Sequence, residues 1–194
     1  FNNACIWIIL VVYARHTKEP CMEAKPRAWE NWKPQMLFSD CYILDGRGNV
    51  LLIERKEKGF GFGRVCAPGG QIEAGETALG CVIREVREEV GLEISEPQLV
   101  GHVNFMIPGN NLFGNIFVAT KYRGNLIETD EARPFWCSIK SIPYHCMFDD
   151  ARIWVRHAIE GHTFDFYGIY DCDGNMMSHD LVLDTSNTPK AGCR

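Results

Sequence analysis

The order of apolar and polar positions divides the chain into runs of different period. Residues 37–45 and 50–54 read as two strands, with Gly46, Arg47, Gly48 and Asn49 turning between them. From 77 to 90 the period changes. Leu79, Val82, Ile83, Val86 and Val90 recur at helical spacing, with no Pro and only Gly80 to weaken the segment. Thr77 is a candidate N-cap and Gly91 a candidate stop. Strand character returns at 98–106 and, after a turn at 108–111, at 112–122, which predicts a hairpin. A short strand is expected at 135–138, and Ser141, Ile142 and Pro143 open a new segment. Residues 149–160 fit a second helix with Ile153, Trp154, Val155 and Ala158 apolar. Residues 163–170 and 176–183 read as strands on either side of an Asp173-Gly174 turn. Mixed strands with two helices predict an α/β (α+β) fold, a compact α/β/α sandwich around a mixed central sheet.

The two ends read differently. Residues 4–14 are an apolar run too short to span a bilayer, which needs about 20 residues. It resembles the apolar core of a secretory leader, but no basic segment precedes it and no clear cleavage site follows; a membrane anchor is the less favoured alternative to an accessory extension. Residues 15–35 are polar, with Trp29 and Trp32 the candidates to anchor them. We expect an N-terminal extension at 1–35, one domain at 36–184 and a frayed tail at 185–194. Met36 is a candidate natural start, and a chain beginning there is expected to stay soluble and active. The length of 194 residues suits one domain with a real core. A net charge of −5 predicts no broad surface for polymeric nucleic acid or membrane, so an anionic ligand must be met locally. Nine cysteines, an odd number with no C-x-x-C pair, fit a reducing, cytoplasmic setting better than a disulfide framework. A monomer or a homodimer is expected.

The chemistry concentrates between Gly70 and Leu92. Gly70, Glu76, Arg84, Glu85, Val86, Glu88, Glu89, Gly91 and Leu92 fill the pattern G-x5-E-x7-R-E-U-x-E-E-x-G-U, where U is a bulky aliphatic residue. At about 100° per residue, Glu85, Glu88 and Glu89 fall within one arc bordering the apolar stripe. Carboxylates at this spacing repel one another, and a structural helix gains nothing by placing them beside its buried face. A divalent cation removes the repulsion, and hard Mg2+ or Mn2+ takes oxygen ligands. The alternative is a solvated acidic face. The turn Ala67, Pro68, Gly69, Gly70 favours the metal, because it brings a backbone carbonyl toward the acids. The glycine-rich stretch 58–64 is either a flexible connection or a lip over a ligand, and it is not a Walker A loop.

With every position of the pattern filled, the stretch resembles the motif of the Nudix hydrolases. The resemblance spans about 36–183. Within the family it is strongest to purine nucleoside triphosphate pyrophosphatases of the MutT and oxidised-purine type. KGFGFGRVCAPGG (58–70), ETDEARPFWCSIKSIPYHCMFDD (128–150) and YDCDGNMMSHDLVL (170–183) carry that part of it. It implies a Nudix-type sandwich and Mg2+-dependent hydrolysis, with Mn2+ a substitute, of a small nucleotide to nucleoside monophosphate and pyrophosphate. It also implies metal binding by Glu85, Glu88, Glu89, the Gly70 carbonyl and a distal acid, Glu131. Glu85, Glu88 and Glu131 are alternative general bases. Arg84 is expected to orient Glu76 by a two-point pair. Arg55 is expected to bind phosphate, with Lys56 its rival and Phe60 beside them. Phe148 stands where many relatives carry a purine-stacking Trp, and is otherwise a core aromatic. Asp150 matches an acid that reads the purine edge, and is otherwise a helix cap. The chain departs from mammalian relatives at Ala151, where they carry a second acid, and at Cys66, where they carry Asn. The two departures count against a preference for oxidised bases. The resemblance implies purine nucleoside triphosphates as substrates, oxidised ones such as 8-oxo-dGTP among them, with ADP-ribose or a nucleoside diphosphate sugar as the alternative, to which Pro108 bears a weak likeness. A nucleotide-sensing domain without catalysis is the alternative of another class.

Overall fold

A computed structural model of the chain describes residues 29–56, 58 and 61–184. The apolar run at 4–14, Phe60 and residues 185–194 lie outside them. Strand β1 (Met36–Leu44) turns into β2 (Asn49–Arg55), and two very short strands follow, β3 (Val65–Cys66) and β4 (Gly69–Gln71). Helix α1 (Ala78–Val90) leads to β5 (Leu92–Ser95), β6 (Gln98–Met106), β7 (Leu112–Ala119), β8 (Lys121–Gly124) and β9 (Ala132–Ser138). Two 3-10 turns precede α2 (Ala151–Ile159), and the hairpin β10 (Phe164–Tyr170) and β11 (Met176–Leu183) closes the fold.

The main sheet runs β11-β10-β6-β7-β1-β2-β3, with β4 also on β1 and β9 also on β2. It is mixed: β7 lies parallel to β1 and β10 parallel to β6, while the other pairs are antiparallel. Side-chain alternation sends one set of residues to each face. Cys41, Ile43, Leu51, Ile53 and Phe117 pack with Val82, Val86 and Val90 of α1. Tyr42, Val50, Leu52, Ile116 and Phe166 pack with Trp154, Val155 and Ala158 of α2. The result is the three-layer sandwich that the patterning predicts.

The functional geometry starts at a fork. β1 and β2 share only the pairs Ile43–Leu51 and Leu44–Val50. Beyond that point they separate, and the chain from 65 to 71 fills the wedge. Its first strand, β3, pairs with β2, and its second, β4, pairs with β1 at Phe38, Ser39 and Asp40.

The short strands β3, β4 and β5 are not among the expected elements, and other segments differ from the expectation. The segment 112–122 does not run as one strand: β7 ends at Ala119, and β8 leaves the main sheet to pair with β5. β8 is wholly exposed, so no burial pattern marks it. Strand character also begins earlier than expected, at Ala132 in place of 135. Residues 29–35, placed before the domain by their polarity, pack on it. Trp29 is 1% exposed and meets Tyr167 edge-on, with ring centroids 5.2 Å apart. The Gln35 amide N–H donates to the Asn111 carbonyl at 2.8 Å, and Asn111 Nδ2 donates to the Lys33 carbonyl at 3.1 Å.

Candidate active site

Helix α1 is set by its two ends. Thr77 Oγ1 accepts the Gly80 N–H at 3.0 Å, and Gly91 takes the left-handed conformation, φ 74°, with its N–H on the Arg87 carbonyl. The buried face is Ala78, Cys81, Val82, Val86, Glu89 and Val90. Leu79 and Ile83, expected in that stripe, are exposed, and Cys81 takes their place. The true stripe is therefore rotated toward the acids and includes one of them.

That acid is Glu89, 5% exposed. Its Oε2 accepts the Gly69 N–H at 2.8 Å. Burial pushes its carboxyl up to about 8; Gly69 and Arg55 pull the other way, and the Glu85 and Asp40 charges add to the rise. Glu85 is also pushed up by burial, with Arg84 opposing and Glu88 and Glu131 adding. Arg84 forms the two-point pair with Glu76, Nε to Oε1 and Nη2 to Oε2, both at 2.9 Å. Its Nη1 also donates to Glu85 Oε1 at 2.7 Å and Glu88 Oε2 at 3.2 Å. One guanidinium thus fixes three carboxylates. Gly70 faces this row so closely that a Cβ there would overlap the Glu85 carboxylate. Glu131 is exposed, and its charge is felt at Glu85.

The fork supplies an acid that sequence reasoning missed. Asp40, opposite Gly69 on β1, is half-buried, with Oδ1 close against the Gly69 backbone. Burial pushes it up to about 7; Arg55 pulls it down, and the Glu85 and Asp150 charges raise it. The available signal was a polar pair, Ser39-Asp40, inside an otherwise apolar strand. Arg55, at the end of β2, faces Cys66, Glu89 and Asp40. Lys56 turns away. Its Nζ donates to Glu128 Oε1 at 2.9 Å and to the Thr129 carbonyl at 2.7 Å, so it ties down the 128–131 loop.

The expected base-reading residues adjoin this cleft. Gly61 passes close to both the Phe148 ring and the Arg55 side chain. Arg64 lies over Phe148, 5.7 Å from the ring centroid, and its Nη1 donates to the Met147 carbonyl at 2.8 Å. Asp150 stands at the start of α2, but its side chain makes no cap bond. Instead Trp154 Nε1 donates to Asp150 Oδ2 at 2.7 Å, and burial raises the carboxyl. Phe60 is outside the described residues.

The site thus gathers Glu85, Glu89, Asp40, Gly70 and Arg55 around one cleft. All of its acidic donors are oxygens, and burial costs their ionised forms, which a hard divalent cation would relieve. The residues fit such an ion. Among the described residues the three α1 carboxylates are not drawn to one point, because Arg84 and the Gly69 N–H hold them separately.

A mixed α/β sandwich with an acidic, glycine-fronted helix edge beside Arg55 offers oxygen ligands for a divalent cation and a cation for an anionic, phosphate-bearing ligand. Residues 38–158 match the NUDIX domain, and the chain belongs to that family. It is 32% identical over 139 residues to the oxidized purine nucleoside triphosphate hydrolase of Danio rerio, covering 71% of this chain and 85% of that one. It is 33% identical over 129 residues to the NAD-capped RNA hydrolase NudC of Pseudomonas aeruginosa, covering 64% of this chain but 42% of that protein. The crystal structure of a MutT protein from Bacillus halodurans superposes with a TM-score of 0.64 at 24% identity, covering 75% of this chain and 97% of that one. Among the described residues no helix is long and apolar enough to cross a membrane.

Proposed function

We propose that the chain is a Mg2+-dependent pyrophosphohydrolase of purine nucleoside triphosphates, oxidised forms such as 8-oxo-dGTP among them, releasing nucleoside monophosphate and pyrophosphate. One observation carries the reading: the acidic edge of α1 and the cation Arg55 share a cleft whose neighbours are an aromatic ring and a buried acid, Phe148 and Asp150. The name of the Danio rerio relative supports the same substrate class.

Glu85, Glu88, Glu89 and the Gly70 carbonyl, with Glu131 beyond them, are the groups to hold the ion. When bound, it supplies neutralisation of phosphate charge and acidification of water. The chain's own residues do the rest. Arg55, kept charged beside Glu89 and Asp40, meets the phosphate oxygens. Arg84 holds Glu76, Glu85 and Glu88 in register and stays off the substrate. Glu88 is our choice of proton acceptor, since its side chain is 52% exposed while that of Glu85 is 14% exposed. The Phe148 ring offers a stacking plane, and Asp150, buried beside it with its carboxyl raised by burial, is the group to read a base edge. A reducing, cytoplasmic setting suits the free cysteines at 41, 66 and 81.

The test is a panel of dGTP, 8-oxo-dGTP, dATP, ADP-ribose and NAD, with pyrophosphate and phosphate scored separately. Preferred release of pyrophosphate from the purine triphosphates supports the reading. Preferred turnover of ADP-ribose or NAD overturns it.

A further inference from the structure

The end of α2 farthest from Asp150 carries a group of side chains for which the hydrolase has no use. The helix stops in a Schellman arrangement: the Gly161 N–H donates to the Ala158 carbonyl and the His162 N–H to the His157 carbonyl, both at 3.0 Å. Gly161 takes φ 77° to make the reversal. This backbone motif sets the residue three before the cap beside the second residue after it, and two apolar side chains usually meet there. Here both positions are histidines. His157 Nδ1 and His162 Nδ1 face each other at 3.4 Å, with ring centroids 5.6 Å apart. The residue between them, Glu160, brings Oε2 to 3.6 Å from His162 Nδ1. The three donor atoms lie within 4.8 Å of one another.

We propose that His157, Glu160 and His162 form a second, transition-metal site, separate from the acidic edge of α1 and suited to Zn2+. Four ligands held tetrahedrally at about 2.0–2.1 Å stand about 3.3–3.4 Å apart, which is the separation of the two imidazole nitrogens. Two imidazoles and one carboxylate are a donor set for zinc or copper, whereas Mg2+ takes oxygens. The fourth position is left to water or an exchangeable ligand. Arg156 Nε donates to the other Glu160 oxygen at 2.8 Å and so fixes the carboxylate beside the two rings. The C-terminal end of a helix adds negative potential at the same point. The nine residues of α2 set this site about 13 Å from the start of the helix, so an ion there does not reach Asp150. Its effect would be to clamp the helix end to β10.

The experiment is calorimetric titration of the full chain with Zn2+ in excess Mg2+, repeated on His162→Leu and on the double variant His157→Gln with His162→Gln. The first variant puts an apolar side chain at one of the two positions where the reversal favours one, so it should fold at least as well as the parent. Both variants should keep hydrolysis in Mg2+ unchanged. We expect one Zn2+ per parent chain, loss of that equivalent in both variants, and a zinc-dependent rise in Tm in the parent alone. Cu2+ bound to the parent should show an electron spin resonance pattern of two coordinating nitrogens. Failure of the parent to bind Zn2+ in excess Mg2+, or equal binding by parent and variants, overturns the proposal. In the second case the exposed Cys172 or other thiols would be the ligands.

Discussion

Glu89 couples two requirements that pull in opposite directions. A buried carboxyl raised to about 8 from 4.5 holds a proton in the folded chain that it has lost in the unfolded one. Between those values folding binds more protons than unfolding, so without divalent ion stability should fall as pH rises from about 4.5 to about 8. Asp40, raised to about 7 from 3.8, has the same sign. Glu89→Gln should therefore lose turnover by on the order of 10²-fold or more, yet melt higher than the parent at pH 8 in chelator. A scan of Tm against pH for both proteins reads this directly, and a parent whose Tm does not fall over that range contradicts the assignment. At Asp150 the question is selectivity. Leaving a buried polar group mismatched costs about 1–3 kcal/mol, so Asp150→Asn should re-rank dGTP, 8-oxo-dGTP and dATP by roughly 5- to 150-fold in kcat/KM. Phe148→Ala should lower all three by a common factor, since stacking tolerates base identity. One shared factor for Asp150→Asn would make its bond to Trp154 its whole role. The glutamates were legible in the sequence because their spacing has a meaning on a helix. Asp40 was not, because its importance comes from the fork that surrounds it.

At the scale of elements, length decided what could be read. Thirteen residues of α1 and nine of β6 repeat their pattern often enough to be recognised. β3 has two residues and β4 has three, too few to show alternation, and they exist because β1 and β2 part. Their glycines differ in what a methyl group would strike. At Gly69 the obstacle is the Ser39 carbonyl, which is backbone, and at Gly70 it is the flexible end of Glu85. Gly69→Ala should therefore lower stability by more than about 3 kcal/mol. Gly70→Ala should fold with a smaller loss but displace Glu85 and cut turnover sharply. Denaturant unfolding and steady-state rates on the two variants separate these outcomes, and equal loss of stability in both would contradict the distinction.

For the molecule as a whole, the polarity of 15–35 concealed that residues 29–35 complete the packing. Trp29→Ala should cost about 3–5 kcal/mol, as for other buried aromatics, and a chain cut to begin at Met36 should be destabilised by a similar amount. Thermal melts of the Trp29→Ala variant and the shortened chain check this; an unchanged Tm would return the boundary to Met36. The parallel pairing of β1 with β7 has a different consequence, for the order of events at the ribosome. Met36 finds its partner at Leu112, so β1 emerges with one edge unsatisfied and waits for about 75 more residues, roughly 4–15 s at about 5–20 residues per second. β10 must then find β6 across a comparable stretch of chain. Such non-local closures make folding slow and leave the nascent apolar strand open to self-association, so the newborn chain has its greatest need of a chaperone before residue 119 is made.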